Sequence, residues 1–167
     1  MPAIASRDDL PAWIGKQVAC SDWLEISQRC IDAFAEATGD KQWIHVDAAR
    51  AARESPYGAT VAHGYLTLAL LPRLFESSLR IENVGLVINY GLDKVRFPAP
   101  VLAGQRVRGR LVLEDVVAHD AIMQVRWLAT VEIENGAKPA CVAQLLTRYY
   151  PAPPDAVPGS DRRGKIP

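Results

Sequence analysis

Asp40 and His45 stand five residues apart in the stretch Thr38-Gly39-Asp40-Lys41-Gln42-Trp43-Ile44-His45. A carboxylate and an imidazole are well suited to moving protons near neutral pH. A pair of them can hold one water, take a proton from it and return a proton elsewhere. Each residue also has a plainer reading. A Gly-Asp after a helix is often only a C-cap and turn. A histidine just before a helix is often a satisfied surface or core residue. His63-Gly64 reads equally as an ordinary loop-to-helix junction, and Trp43 as a packing residue. His45, His63 and His119 do not fall at a metal-ligand spacing, so no metal site is expected. The chain carries no GxSxG elbow, P-loop or GxGxxG fingerprint.

The elements around these residues can be read from periodicity. Ser27 is a candidate N-cap; Ile31, Phe34, Ala35 and Thr38 follow at helical spacing, and Gly39 stops the helix. The stretch from Asp40 to His45 is irregular. Asp47 then caps a short Ala/Arg-rich helix running to about Glu54, and Pro56 and Gly58 mark a loop. A long helix is expected from Gly64 to about Leu79. Its first half, Tyr65 to Leu71, is apolar on nearly every side and is expected to be buried on nearly every side, with a kink at Pro72. Ser21 to Ile26 reads as a short strand, and Val84 to Tyr90 and Lys94 to Phe97 as two more. Arg106 to Val117 is a longer strand, turning near His119-Asp120. Met123, Val125, Trp127, Ala129, Val131 and Ile133 alternate with Gln124, Arg126, Leu128, Thr130 and Glu132, the period of a half-buried strand. Asn135-Gly136 signals a hairpin into a last strand, Ala140 to Tyr150. Residues 151–167, dense in Pro and charge, read as a flexible tail after a domain over residues 1–150. A helical half followed by antiparallel strands gives an α+β class.

The totals narrow the function classes. A chain of 167 residues suits one domain. Lys+Arg and Asp+Glu both number 19, so nothing points to a nucleic-acid partner. Cys20, Cys30 and Cys141 are odd in number and form no CxxC pair, which fits a reducing compartment. The first ten residues lack the apolar region of a signal peptide, and the apolar run Tyr65 to Leu71 is far short of a membrane span. A cytoplasmic protein is the expectation.

Three blocks, in one order, carry a resemblance. Thr38 to His45 is similar to the hydratase motif of the MaoC-like family, Gly-Asp, then Asn-Pro, an aliphatic residue and His. Ala62-His63-Gly64-Tyr65-Leu66 resembles that family's Ala-His-Gly opening of a central helix. Asn89-Tyr90-Gly91 through Lys94-Val95-Arg96-Phe97-Pro98 to Gly104 resembles the strand and turn that follow. Gln42-Trp43 in place of Asn-Pro matches the NodN-like branch. The resemblance covers roughly residues 10 to 150. It implies a hot-dog fold, an antiparallel sheet wrapped around a long central helix, usually as a homodimer. The activity it implies is (R)-specific hydration of a trans-2-enoyl-CoA to an (R)-3-hydroxyacyl-CoA, and the reverse dehydration. Asp40 and His45 would be catalytic, and the Gly64 N–H would stabilise the thioester oxyanion. Gln42, Trp43 and His63 would contact substrate, and Pro72 and Phe75 would shape the acyl pocket. By their residue types Lys94 and Arg96 read either as a solvated face or as ligands of the CoA phosphates, and Arg96 equally as a buried structural partner. Arg106, Arg108 and Arg110 read as a solvated strand face or, again, as phosphate ligands. CoA or an acyl carrier would enter with the substrate, with no separate cofactor. Two other readings compete: a hot-dog thioesterase, which needs a carboxylate but not this Asp-to-His spacing, and a non-catalytic acyl-thioester-binding protein, which needs neither residue.

Overall fold

The computed structural model describes residues 3–4, 6–76 and 78–153. Its elements run β1 (Ala3–Ile4), a 3-10 segment (Arg7–Trp13), β2 (Gln17–Cys20), β3 (Leu24–Glu25), α1 (Gln28–Thr38), α2 (Trp43–Val46), α3 (Ala48–Glu54), α4 (Gly64–Ala69), α5 (Leu71–Glu76), β4 (Arg80–Ile81), β5 (Val84–Arg96), β6 (Arg106–His119), β7 (Ile122–Ile133) and β8 (Cys141–Pro151). The main sheet has the order β2-β6-β7-β8-β5, with β3 also on β6, and every pairing in it is antiparallel. β1 and β4 form a separate parallel ladder.

The helices before the site end where their caps dictate. The Ser27 hydroxyl accepts the Cys30 N–H at 3.3 Å, and Gly39 closes α1 at φ 77°, the left-handed conformation that a Cβ disfavours. Asp47 caps α3 by accepting the Arg50 N–H at 2.9 Å. β7 buries every second residue from Met123 to Ile133. With Val107, Leu111 and Leu113 of β6 and Cys141 and Ala143 of β8, these make the sheet side of the core, and Leu66, Leu71 and Leu74 pack onto it from α4 and α5. This is the hot-dog arrangement, an antiparallel sheet on a central helical segment.

Three expectations need correction. The helix from Gly64 to about Leu79 is two helices, α4 and α5, of six residues each. Pro72 has no N–H to give the Leu68 carbonyl, so the chain makes a fresh start at Leu71 instead of merely kinking. Nor is the segment buried all round. Leu66, Thr67, Leu71 and Leu74 face the core, whereas Tyr65 is 72% exposed, because the sheet of one chain covers one side only. The two short strands expected over Val84 to Tyr90 and Lys94 to Phe97 are one strand, β5. Register shifts between Val84 and Leu86, Asn89 and Gly91, and Leu92 and Lys94 absorb the residues that read as a break. β5 is the sheet edge, and Leu86, Val87, Ile88, Tyr90 and Leu92 on it are exposed. The last strand runs to Pro151, and most of the expected tail, residues 154–167, lies outside the described residues.

Candidate active site

α1 ends at Gly39 so that Asp40 leaves its C-terminus in an irregular turn. The Thr38 hydroxyl accepts the Asp40 N–H at 3.4 Å, and the Asp40 carboxylate in turn faces the Gln42 N–H at 3.5 Å. The Asp40 side chain is 55% exposed, open to a ligand. α2 follows at once and carries His45 on its single turn. His45 is held once at its ring and once at its main chain. Nδ1 lies 2.7 Å from the Val61 carbonyl, and the His45 carbonyl accepts Gln28 Nε2 from α1 at 2.8 Å. A carbonyl oxygen can only accept, so Nδ1 carries the proton and Nε2 of the singly protonated ring keeps its lone pair. Val61 is itself fixed, since its N–H donates to the Ile44 carbonyl and it bridges to Leu102.

His63 sits behind the pair. It is 3% exposed, its ring stacks on that of His45 at 3.7 Å between centroids and 24° between planes, and Phe34 covers it at 5.0 Å. His63 Nε2 donates to the Asp40 carbonyl at 2.9 Å and lies 3.9 Å from its carboxylate. Its Nδ1 is buried with no hydrogen-bond partner among the described residues, which costs ~1–3 kcal/mol for a polar atom. One donor atom each from Asp40, His45 and His63 fall within 4.8 Å of one another, a proximity that the spacing of the histidines did not announce. The two rings are nearly parallel, so their in-plane lone pairs do not converge on one point as a metal would require. A carboxylate and an imidazole at that separation suit a bridging water.

Gly64 opens α4 beside this cluster. A Cβ there would meet the Phe97 ring at 3.0 Å, so the glycine makes room for Phe97, itself edge-on to Tyr65 at 6.0 Å. Phe97 stands in the third resemblance block without having been singled out.

The other expected ligands are dispersed. Gln42 is exposed, and Trp43 is half-buried with the Arg50 guanidinium 4.4 Å over its ring. Pro72 and Phe75 line an apolar cavity of about 770 Å³ with Leu68, Leu145, Trp127 and Tyr149. Neither Asp40 nor His45 borders it; the cavity meets α4 at Leu68 and Ala69, one turn beyond Gly64. Burial pushes the Tyr149 phenol up to about 12, against hydrogen bonds with Thr147 and Trp127 that pull it down, so it stays uncharged in the cavity wall. Lys94 and Arg96 lie on β5, and both are exposed. Arg96 donates to the Val95 carbonyl at 2.7 Å, and its exposure in this chain departs from its reading as a buried partner. Arg106, Arg108 and Arg110 are engaged across strands. Arg106 pairs with Glu134 at 3.0 Å, and Arg108 and Arg110 pair with Glu132 at 2.8 and 3.0 Å, as a solvated face would.

Comparisons with known proteins bear on the family and the fold. Residues 9–135 match the family described as "MaoC like domain". The chain is 51% identical over 150 residues to 3-hydroxyacyl-thioester dehydratase Z of Mycobacterium tuberculosis, covering 89% of this chain and 99% of that one. It is 47% identical over 144 residues to nodulation protein N of Rhizobium leguminosarum bv. viciae, covering 85% and 89%. The fold matches R-hydratase PhaJ1 from Pseudomonas aeruginosa with a TM-score of 0.67 at 24% identity, covering 84% of this chain and 83% of that one. It also matches the MaoC-like dehydratase from Rhodospirillum rubrum with a TM-score of 0.69 at 21% identity, covering 84% and 94%. With its helical segment seated on an antiparallel sheet and its motif blocks in order, the chain belongs to the MaoC-like dehydratase family and has its hot-dog fold.

Proposed function

We propose that the protein, a hydro-lyase by family, adds water across the double bond of a trans-2-enoyl thioester to give an (R)-3-hydroxyacyl thioester, and catalyses the reverse. The observation that carries this reading is the state of His45: its Nδ1–H is spent on the Val61 carbonyl, so Nε2 keeps its lone pair, on a ring that has one nitrogen within 4.8 Å of an Asp40 carboxylate oxygen. Water is a poor nucleophile until a base takes its proton during attack. In this mechanism Asp40 and His45 hold one water between them. As its oxygen bonds to C3, one of the pair takes its proton, and a proton returns to C2. Charge that builds on the thioester oxygen meets the Gly64 N–H. The acyl chain extends towards Pro72 and Phe75. The reaction consumes only water, so the dyad needs no cofactor beyond the carrier bonded to the substrate.

CoA is the carrier we propose. The (R) configuration is part of the same proposal and rests on family likeness. We also propose a homodimer, supported by the exposed apolar row on edge strand β5. Among the described residues no helix is long and apolar enough to cross a membrane. A cytoplasmic location is proposed from the unpaired cysteines.

The test is to mix purified protein with crotonyl-CoA and follow loss of the enoyl-thioester absorbance, with chiral analysis of the product. The (R)-3-hydroxy product is expected. The (S) isomer would refute the stereochemistry. Release of free CoA without hydration would make the protein a thioesterase, and tight binding without turnover would make it an acyl-thioester-binding protein.

A further inference from the structure

The mechanism leaves His63 without a task, yet it touches both members of the dyad, stacking on His45 and hydrogen-bonding the Asp40 main chain. Its burial keeps it from the substrate contact that the motif resemblance implied. A helix cap does not explain it either: His63 is the N-cap residue of α4, but its side chain makes no capping hydrogen bond. Nor does packing explain it. An apolar ring would fill the slot between Phe34 and His45 without burying Nδ1 unpaired. What an apolar ring would lack is the Nε2–H, which holds the Asp40 carbonyl at 2.9 Å across 23 residues of chain.

Given the proposed hydration chemistry, on which this inference rests, we propose that His63 is a positioning residue. It fastens the Asp40 main chain to the start of α4 and offers His45 a flat surface to lie on. Because His63 immediately precedes Gly64, the same residue sets the distance from the dyad to the N–H that would meet the thioester oxygen. Carboxylate, imidazole and oxyanion donor are thereby held in one frame. His63 itself touches neither substrate nor water.

Two substitutions separate the donor from the ring. His63→Phe keeps a stacked ring and removes the donor. His63→Gln places an amide N–H at about the reach of Nε2. With crotonyl-CoA, His63→Phe should lower kcat by about 10–100-fold, as for a displacement of around 1 Å at a reacting group, with KM changed less than about threefold. His63→Gln should recover most of that loss. A second measurement does not depend on turnover. The Lys41 amide ¹⁵N resonance reports hydrogen bonding to the Asp40 carbonyl within the same peptide unit. It should move in His63→Phe and return towards its wild-type position in His63→Gln. If His63→Phe does not fold, His63→Leu removes the donor with less bulk and takes its place.

A kcat in the donorless variant equal to wild type overturns the proposal. So does a rise in KM at constant kcat, which would make His63 a substrate contact. A Gln variant that restores the Lys41 resonance without restoring kcat overturns it as well. If wild-type protein hydrates no enoyl thioester, it is the proposed function that fails. In that case a Lys41 resonance unmoved in His63→Phe would still overturn the anchor, and a shifted one would uphold it.

Discussion

Asp40 and His45 differ in how much of their placement is held by the protein. The His45 imidazole is fixed by the Val61 carbonyl and the His45 main chain by Gln28, whereas the carboxylate is half open to solvent. Asp40→Asn keeps the shape and removes the basic oxygen, and His45→Ala removes the proton carrier. Each should cut hydration by about 10²–10⁴-fold while circular dichroism and melting temperature stay near wild type. A double mutant with near-normal turnover would remove the dyad from the mechanism. Phe75 is tested by selectivity instead. It borders the cavity, and its ring also lies over Gly109, where a Cβ would come within 3.0 Å. Phe75→Ala should raise the ratio of kcat/KM for octenoyl-CoA over crotonyl-CoA roughly tenfold, since each methylene in an apolar pocket contributes ~1–3 kcal/mol. An unchanged ratio with a lower melting temperature would assign Phe75 to the core alone.

Among the elements, the start of α4 and the face of β6 and β7 give contrasting tests. Gly64→Ala puts a methyl into the Phe97 ring, the far end of a side chain that is itself partly exposed. The ring must swing aside, so Gly64→Ala and Phe97→Ala should be non-additive, with a coupling of about 0.5 kcal/mol or more in a double-mutant cycle of thermal stability. Additive effects would show that the ring moves freely. On β6 and β7, Arg108 and Glu132 stand directly opposite, and Arg110 reaches the same carboxylate. Burial alone would raise Glu132, but the Arg108 and Arg110 hydrogen bonds outweigh it and hold the carboxyl below its usual range. A carboxyl depressed in the folded state adds stability that is complete above its ordinary value and fades as pH falls through the lower folded value. Wild type should therefore lose stability on acidification below the usual carboxylate range more steeply than Glu132→Gln. Parallel urea midpoints for the two proteins from neutral pH down to about pH 3 would count against this pair.

At the scale of the molecule, the sheet ends in a long edge that a monomer would leave open. β5 has thirteen residues and exposes Leu86, Val87, Ile88, Tyr90 and Leu92. Edge strands of soluble proteins are ordinarily short, charged or covered. The outer side of α4, with Tyr65 exposed, is likewise uncovered. A dimer that survives dilution into the micromolar range is expected by light scattering, and Ile88→Lys should weaken it. An active wild-type monomer would contradict the expectation.

The parts of this protein that its sequence determined by itself are those decided within one or two turns of chain. Ser27 and Gly39 bound α1 because a hydroxyl and a missing Cβ act on their immediate neighbours. Asp47 caps α3 in the same way, and the alternation from Met123 to Ile133 is a strand because its period allows one buried face. The motif blocks announced the family for the same reason: each is contiguous. Only the tertiary structure decided where those blocks meet. Val61 supplies the carbonyl that orients His45 from 16 residues away, and His63 reaches Asp40 across 23. Phe34 closes over the His63 ring from a third element. The fate of Arg106, Arg108 and Arg110 likewise depended on the β6–β7 pairing, which sets Glu132 opposite Arg108 and within reach of Arg110, and brings Glu134 to Arg106. The apolar run of α4 misled because hydrophobicity records how much surface must be covered and not by what. One chain covers one side of that helix, and only a second body could cover the other.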